Sequence, residues 1–422
     1  MRQLISCLAA WAALAAWAAW TCGPAFSQTS GSAAFIERAR THFDRGQIDS
    51  AIAVMQSAVG LYPDDARARN QLALLYSGVG RYEEAIAALQ KALALDPQDV
   101  PALVNLGGVY FALQDTQKAI DAYRKAVAMA PGDARAHSAL GFAMAEAGSL
   151  DAAASALGRT VALDSEDVDA RRGLAEVYYG RGDVDSSIAA YRALLGIMPD
   201  AVQARYRLAS IYDGEDMVDS ARAEYLRCIE AAPEWVAPRS DLASVYFRQG
   251  MRDSALAGYL RCVSLAPEDA GLQVNLGMTF EQQGVMDSAI AAYERAIRLV
   301  RLTSDSDPLL RRTQEDVLEQ AQGHLDVVRA IKAGKVRVRH ILVKTQEEAD
   351  EILRQIKEGA DFVELAQKRS IDPTASQGGL TMFFSQGDLD PEFEATARGL
   401  KVGGVSGVVK TKLGYHIILR VN

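Results

Sequence analysis

From about residue 32 to residue 303 the apolar positions recur every 34 residues, with no insertion. A small residue anchors each repeat: Ala51, Ala85, Ala119, Ala153, Ser187, Ala221, Ala255 and Ala289. Four positions later stands a large apolar or aromatic residue: Met55, Leu89, Tyr123, Leu157, Tyr191, Tyr225, Tyr259 and Tyr293. This i, i+4 spacing gives one helix an apolar face. Thirteen positions before the anchor lies a leucine in every repeat but the first: Leu72, Leu106, Leu140, Leu174, Leu208, Leu242 and Leu276. A Gly or Ala follows each leucine, and "LAEVY", "LASIY" and "LASVY" add a tyrosine three residues on. That pattern predicts a second helix with a small spot for close approach. Pro63, Pro97, Pro131, Pro199, Pro233 and Pro267 close six of the eight repeats and stop the helix there. Eight helical hairpins are predicted, stacked so that they bury a core no single hairpin could bury.

The period changes after residue 303. "TSDSDP" (303–308) breaks the repeat, and Asp307 with Pro308 begins a helix running to about Ala333, with Gly334 as its stop. Leu310, Val317, Ala321, Leu325 and Val328 form one stripe on it, which predicts a cap over the open end of the array. Beyond it, "VRVRHILV" (336–343) alternates and puts Val336, Val338, His340 and Leu342 on one face of a strand. Residues 347–370 are helical, broken near Gly359-Ala360 and restarted by Asp361. "DPTASQGG" (372–379) is a loop, "DPEFEATARGL" (390–400) a short helix, and Gly403-Gly404 a turn. "VSGVVK" and "GYHIILRV" are strands joined by a tight hairpin, with His416 and Ile418 on one face.

The 34-residue period resembles the tetratricopeptide (TPR) repeat. The expected fold is therefore mainly α: an α-solenoid of eight TPR hairpins over 32–303, a capping or linker helix over 304–334, and a small α+β domain over 335–422. The resemblance implies a concave face lined by the first helix of each hairpin. By repeat position that face would carry Arg67, Asn70, Phe111, Phe142, Arg172, Tyr179, Tyr206 and Phe247. This mixture of arginine and aromatic suits an extended peptide of a protein partner; the same side chains equally suit packing between repeats. Cys228 and Cys262 both sit in "YLRC", one repeat apart, where other repeats hold Ala58, Ala92, Ala126 and Ala296. Equivalent helices of successive repeats have another helix between them, and even neighbouring axes lie about 8–10 Å apart, whereas a disulfide needs Cα atoms about 4.4–6.8 Å apart. Both are expected to be small buried core residues.

Composition adds few constraints. A formal net charge of −9 and the lack of any Lys/Arg run argue against a nucleic-acid surface. The N-terminus is read as a secretory signal peptide over 1–27. Arg2 precedes the apolar run "LISCLAAWAALAAWAAW" (4–20), and Ala25 and Ser27 are small residues suited to cleavage before Gln28. An uncleaved membrane anchor and a lipid on Cys22 are the alternatives, and only these would bring a membrane contact. Export to the periplasm of a bacterium is the expected address.

Two of the five histidines, His340 and His416, fall on core-facing positions of the first and last strands of the C-terminal segment. Either alone reads as a satisfied core side chain. Two together in a small core, with a carboxylate loop nearby, point to a polar network kept for function. "HILVK", "SIDPTASQGG", "PEFEAT" and "GYHIILRV", in that order over about 336–421, resemble the parvulin family of peptidyl-prolyl cis–trans isomerases. The resemblance implies that His340 and His416 are the paired core histidines and that Asp372 stands beside them. It also implies that Leu389 and Phe393 hold the substrate proline ring, and that the Thr411 hydroxyl joins the network. "GGLTMFF" (378–384) departs from the family: Leu380 replaces an Asp, and Thr381 replaces the pocket leucine. Arg398 follows Ala397 where the family has phenylalanine. No basic loop follows "HILVK", so phosphorylated substrates are not expected. The expected function is an exported prolyl isomerase or foldase that needs no cofactor or metal, with proline-containing polypeptides as clients and the array recruiting clients or partners. The alternative is a TPR scaffold or holdase whose parvulin-like domain binds peptide without turnover.

Overall fold

The structure, a computed structural model, describes residues 31–303 and 308–422. The expected signal segment with Cys22, and the expected cap at Asp307, lie outside those residues, as does the Leu310 side chain. Among the described residues no helix is long and apolar enough to cross a membrane. The chain divides into two compact units, one ending at Ala231 and one beginning at Ala232.

The described part of the first unit consists of helical hairpins: α1 (Ala33–Asp44) with α2 (Ile48–Leu61), α3 (Ala66–Gly78) with α4 (Tyr82–Leu95), and α5 (Val100–Ala112) with α6 (Thr116–Met129). α7 (Ala134–Glu146) and α8 (Leu150–Leu163), α9 (Val168–Gly180) and α10 (Val184–Ile197), and α11 (Val202–Gly214) and α12 (Val218–Ala231) follow. The small anchors Ala51, Ala85, Ala119, Ala153, Ser187 and Ala221 are all fully buried. Ser187 keeps this role by donating its hydroxyl to the Ala175 carbonyl at 2.8 Å. Where the leucine of the first helix is followed by glycine, the large residue of the second helix lies over it. A Cβ on Gly107 would come within 2.5 Å of the Tyr123 ring, and one on Gly141 within 2.6 Å of Leu157. Asp65, Asp99, Asp133 and Asp167 cap the first helices by accepting backbone N–H bonds.

The second unit opens with the same hairpins, α13 (Val236–Arg248) with α14 (Arg252–Leu265) and α15 (Ala270–Gln282) with α16 (Met286–Thr303). α17 (Pro308–Lys332) lays Ala321, Leu325 and Val328 against Val274, Tyr293 and Ile297. The stripe expected of a capping helix is thus buried on the last hairpin. Both cysteines are free and buried, each thiol facing a backbone carbonyl of its own unit, Val202 for Cys228 and Val236 for Cys262. Burial pushes each thiol up to about 11, so neither is a ready nucleophile.

The C-terminal part of this unit is a three-stranded antiparallel sheet in the order β1 (Val338–Val343), β3 (Gly414–Arg420), β2 (Val409–Thr411). One face packs on α18 (Gln346–Lys357) and α19 (Phe362–Arg369) through Ile341, Val343, Ile417, Ile352 and Phe362. The other packs on α20 (Pro391–Gly399) through Val338, Ile418, Phe393 and Ala397. Two local expectations are corrected. The "VSGVVK" strand pairs regularly only from Val409; before it, Val405 makes a lone bridge to Leu419 and the Ser406 hydroxyl accepts the Ile418 N–H at 2.9 Å. Within the expected 372–379 loop, Pro373–Gln377 winds into one turn of 3₁₀ helix capped by Asp372.

Leu157 is fully buried beneath Gly141. Leu157→Ala is expected to destabilise the first unit by about 2–5 kcal/mol, measured as a lower urea midpoint and faster hydrogen exchange in α7 and α8.

Candidate functional site

The site is assembled on the α20 face of the sheet. Register sets His340 opposite Ile418 and Leu342 opposite His416, so the two histidines are diagonal neighbours on one face. Their rings stack at 5.4 Å and 14°, with Nδ1 to Nδ1 at 3.2 Å. Both are buried, 7% and 3% exposed. Phe393 stands edge-on to both, 5.4 Å from His340 and 5.2 Å from His416. It is the third residue of α20, whose start is set by Pro391 and by Asp390 accepting the N–H groups of Glu392 and Phe393.

The outer ring nitrogens are also partnered. His340 Nε2 lies 3.3 Å from Asp372 Oδ1, and His416 Nε2 lies 2.8 Å from Thr411 Oγ1. Hydrogen-bond accounting then gives the direction of the whole chain. The Asp372 carboxylate can only accept, so His340 carries its proton on Nε2. His340 Nδ1 is therefore an acceptor, and His416 Nδ1–H donates to it. His416 Nε2 in turn accepts from the Thr411 hydroxyl, whose oxygen accepts the Leu413 N–H at 3.1 Å. Every polar atom along this line is satisfied with both imidazoles neutral.

The electrostatics agree. Burial holds the His340 imidazole below its usual range, partly offset by Asp372. Burial, and then the neighbouring His340, bring His416 down to about 4. For Asp372, burial works upward but is outweighed by bonds from the Thr374 hydroxyl and amide and by His340, and the net direction is down. The Thr374 hydroxyl donates to Asp372 at 2.6 Å.

The segment 378–384 lies along the free edge of β1. His340 N–H donates to Gly379 O at 2.8 Å, Thr381 N–H to Val338 O at 2.9 Å, and Val336 and Phe384 exchange two bonds of 2.9 Å. Only glycine fits at 379: φ is +74°, and a Cβ would sit 2.0 Å from the His340 carbonyl oxygen. This docking brings Phe384 to 6.3 Å from Phe393.

Of the residues expected at the site, His340, His416, Asp372, Thr411 and Phe393 come together in this one cluster. Leu389 lies four residues before Phe393 and is 43% exposed. The Thr381 hydroxyl is engaged with the Val338 backbone, donating to its carbonyl at 3.1 Å. Phe384 and Thr374 were not singled out by the sequence; the threonine two places after Asp372 is the available clue, since Asp-x-Thr favours a side-chain-capped turn.

The residues expected on the array's concave face are dispersed in role. Phe111 and Phe142 pack into the core of the first unit, and Phe247 into that of the second. Asn70 is buried and accepts from Asn105 at 2.7 Å. Arg172 pairs with Asp169 at 3.0 Å, and Tyr206 lies 6.1 Å from Tyr225. Arg67 and Tyr179 are exposed, with the Arg207 guanidinium 5.9 Å above the Tyr179 ring. Arg207 itself forms a two-pronged pair with Glu176 at 2.8 and 2.7 Å, and the Tyr191 hydroxyl donates to the same carboxylate. That linked set was absent from the sequence reading because its members lie on three helices.

The family model described as Rotamase, PPIC-type PPIASE domain, matches residues 339–422. Tetratricopeptide repeat models match residues 36–99, 70–134, 139–201, 202–234 and 240–306. The foldase protein PrsA of Bacillus subtilis (strain 168) is 45% identical over 86 residues, 20% of this chain and 30% of that protein. A parvulin-like PPIase of Rickettsia prowazekii (strain Madrid E) is 44% identical over 88 residues, 20% of this chain and 31% of that one. The chain thus spans less than a third of the length of these relatives. The crystal structure of the C-terminal part of a TPR repeat-containing protein from Cytophaga hutchinsonii superposes with a TM-score of 0.51 at 15% identity, covering 57% of this chain and 98% of that one. It shares the fold.

The lowered imidazoles make a prediction. An unfolded histidine binds its proton near pH 6.5, whereas folded His416 binds one only near pH 4. Between those values the unfolded chain holds more protons, so stability is full above the window and falls as pH drops through it. Asp372, lowered from 3.8, and Glu394, lowered from 4.5, add their losses only in the lowest part of the window and below it. Urea unfolding of the C-terminal residues, followed by hydrogen exchange from pH 7 to pH 4.5, is expected to show this fall. A His416→Asn variant is expected to show a shallower one.

Proposed function

This chain belongs to the tetratricopeptide-repeat family and carries a C-terminal PPIC-type PPIase domain, and we propose that it is an exported peptidyl-prolyl cis–trans isomerase whose repeats recruit client polypeptides. The observation that carries this reading is the buried His340–His416 pair, locked between Asp372 and Thr411 with Phe393 edge-on above both rings.

The reaction breaks no covalent bond. Rotation about the amide has a barrier of about 18–20 kcal/mol because the planar form is stabilised by resonance, and unaided X–Pro isomerisation takes tens of seconds or longer. At the twisted state the carbonyl is less dipolar and the nitrogen is a better hydrogen-bond acceptor. A site that grips the proline ring on Phe393 and Leu389 and excludes water favours the twisted amide over the planar one. Two neutral imidazoles serve this better than charged ones, because an imidazolium would hold water and favour the more dipolar planar amide. In this reading His340, His416, Asp372 and Thr411 shape and polarise the floor of the pocket rather than exchange protons with substrate. The foldase name of the PrsA relatives supports a folding role, and the repeats would raise the local concentration of client at the pocket. The N-terminal apolar run with Ala25 and Ser27 supports export.

A non-catalytic holdase is the second reading, favoured by Thr381, whose hydroxyl is bound to the strand backbone, and by the open flank at Leu389.

The full chain is expected to accelerate isomerisation of an unphosphorylated proline peptide. Phe393→Ala and His340→Ala, if folded, are expected to lower kcat/KM by at least about tenfold, ~1.4 kcal/mol each. A folded wild-type chain without acceleration sinks the isomerase reading in favour of the holdase. N-terminal sequencing of the mature protein is expected to begin at Gln28; an intact or blocked N-terminus would replace cleavage with anchoring or lipidation.

A further inference from the structure

Glu394 follows Phe393 on α20, yet it does not point into solvent as an acidic residue in a short helix usually does. It is 5% exposed. Its carboxylate turns back onto the loop that precedes the helix and accepts the Gly387 N–H, at 3.1 and 2.9 Å to its two oxygens, and the Leu389 N–H at 2.7 Å. These bonds, to Gly387 first and Leu389 second, hold its carboxyl below the usual glutamate range.

The helix does not need Glu394 to begin. Asp390 already caps it, with Pro391 in the first turn. The loop does need it. Residues 386–389 are all exposed, so no buried side chain anchors that stretch. Gly387 sits at φ +95°, a conformation that makes the loop turn sharply just before Leu389. The bonds within the loop, from Ser385 N–H to the Asp388 carboxylate at 2.6 Å and from Asp388 N–H to the Ser385 carbonyl at 3.4 Å, are local and stop short of Leu389. Leu389 is 43% exposed, so packing of its own side chain holds it only in part. Its backbone is held from below, by a carboxylate one residue away from Phe393.

We infer that Glu394 is a positioning residue that ties the 385–389 loop to α20 and so holds Leu389 at the edge of the proline pocket, setting affinity for the substrate peptide. This rests on the isomerase reading above. A carboxylate suits the task because it accepts several N–H bonds at once and donates none. A glutamine would turn an NH₂ group toward backbone donors.

The test uses the full chain and an unphosphorylated Ala-Ala-Pro-Phe peptide, with wild type, Glu394→Gln, Leu389→Ala and the double variant. Glu394→Gln is expected to raise KM by about tenfold and to leave kcat within about twofold. Because it acts through Leu389, the double variant is expected to bind no more than about twofold worse than Leu389→Ala alone. An unchanged KM in Glu394→Gln, or losses that multiply in the double variant, overturns the inference and leaves the isomerase reading standing. A wild-type chain that neither binds nor isomerises the peptide overturns both. If Glu394→Gln does not fold, amide exchange in the wild type decides. Gly387 and Leu389 exchanging more slowly than Gln386, and more slowly still with peptide, supports the inference; equal exchange among the three overturns it.

Discussion

Two neutral imidazoles stacked inside a small core present four ring nitrogens, and each must find a partner away from water. The line from Thr411 through His416 and His340 to Asp372 answers that demand with one donor and one acceptor at each step. The carboxylate at its end gives the line its direction. Exchange of any member for an apolar residue would leave a buried polar atom unsatisfied, typically a cost of about 1–3 kcal/mol. The surrounding domain is arranged so that this does not happen.

Much of that arrangement lies in irregular segments. Asp372 reaches His340 because Ile371 N–H donates to the Leu342 carbonyl and the Ser370 hydroxyl accepts the Leu342 N–H, which ties the segment to β1. Gly379 lets the next segment approach the strand edge and carry Phe384 toward Phe393. At the far end of α20, Arg420 donates to the carbonyls of Ala397, Arg398 and Leu400 at 2.7–3.2 Å, so the helix bearing Phe393 is held at its C-terminus by the last strand. These contacts place the aromatic ring of Phe393 edge-on to the histidine pair, which in the proposed reading would be the polar floor of the slot. For a reaction that needs only a shaped, dry and weakly polar slot, such rigidity is the main contribution a protein can make.

The repeats solve a different problem with the same economy of parts. Each hairpin buries a small anchor, and a large side chain covers the glycine where one follows the leucine of the first helix. Since the solution is local, it can be repeated with little change, and the surface between the contact points is free to vary. The Glu176–Arg207–Tyr191 set shows such variation: a tyrosine that recurs in other repeats is joined to a two-pronged ion pair between a Glu and an Arg that no other repeat carries in the same positions, and the set fastens three helices of the first unit. Phe111, Phe142 and Phe247 show that an aromatic on a first helix is often committed to the core.

The amino-acid sequence by itself determined the helical hairpins, their anchors, the buried state of Cys228 and Cys262, and the strand positions of His340 and His416. These follow from periodicity, and a period of 34, 3.6 or 2 is a property of the chain read in one dimension. Asp372 and Phe393 were also legible, through the resemblance of short motifs around them. What the tertiary structure alone decided is how residues far apart in sequence meet. The direction of the proton line depends on Asp372 lying against His340. The commitment of Thr381 to the Val338 backbone depends on the docking of 378–384 at a strand edge. The grip of Glu394 on Gly387 and Leu389 depends on a sharp turn that folds the loop back over its own helix. None of these has a period, because each is made by a single crossing of irregular backbone. Hydrogen-bond geometry there is fixed only when both partners are in place.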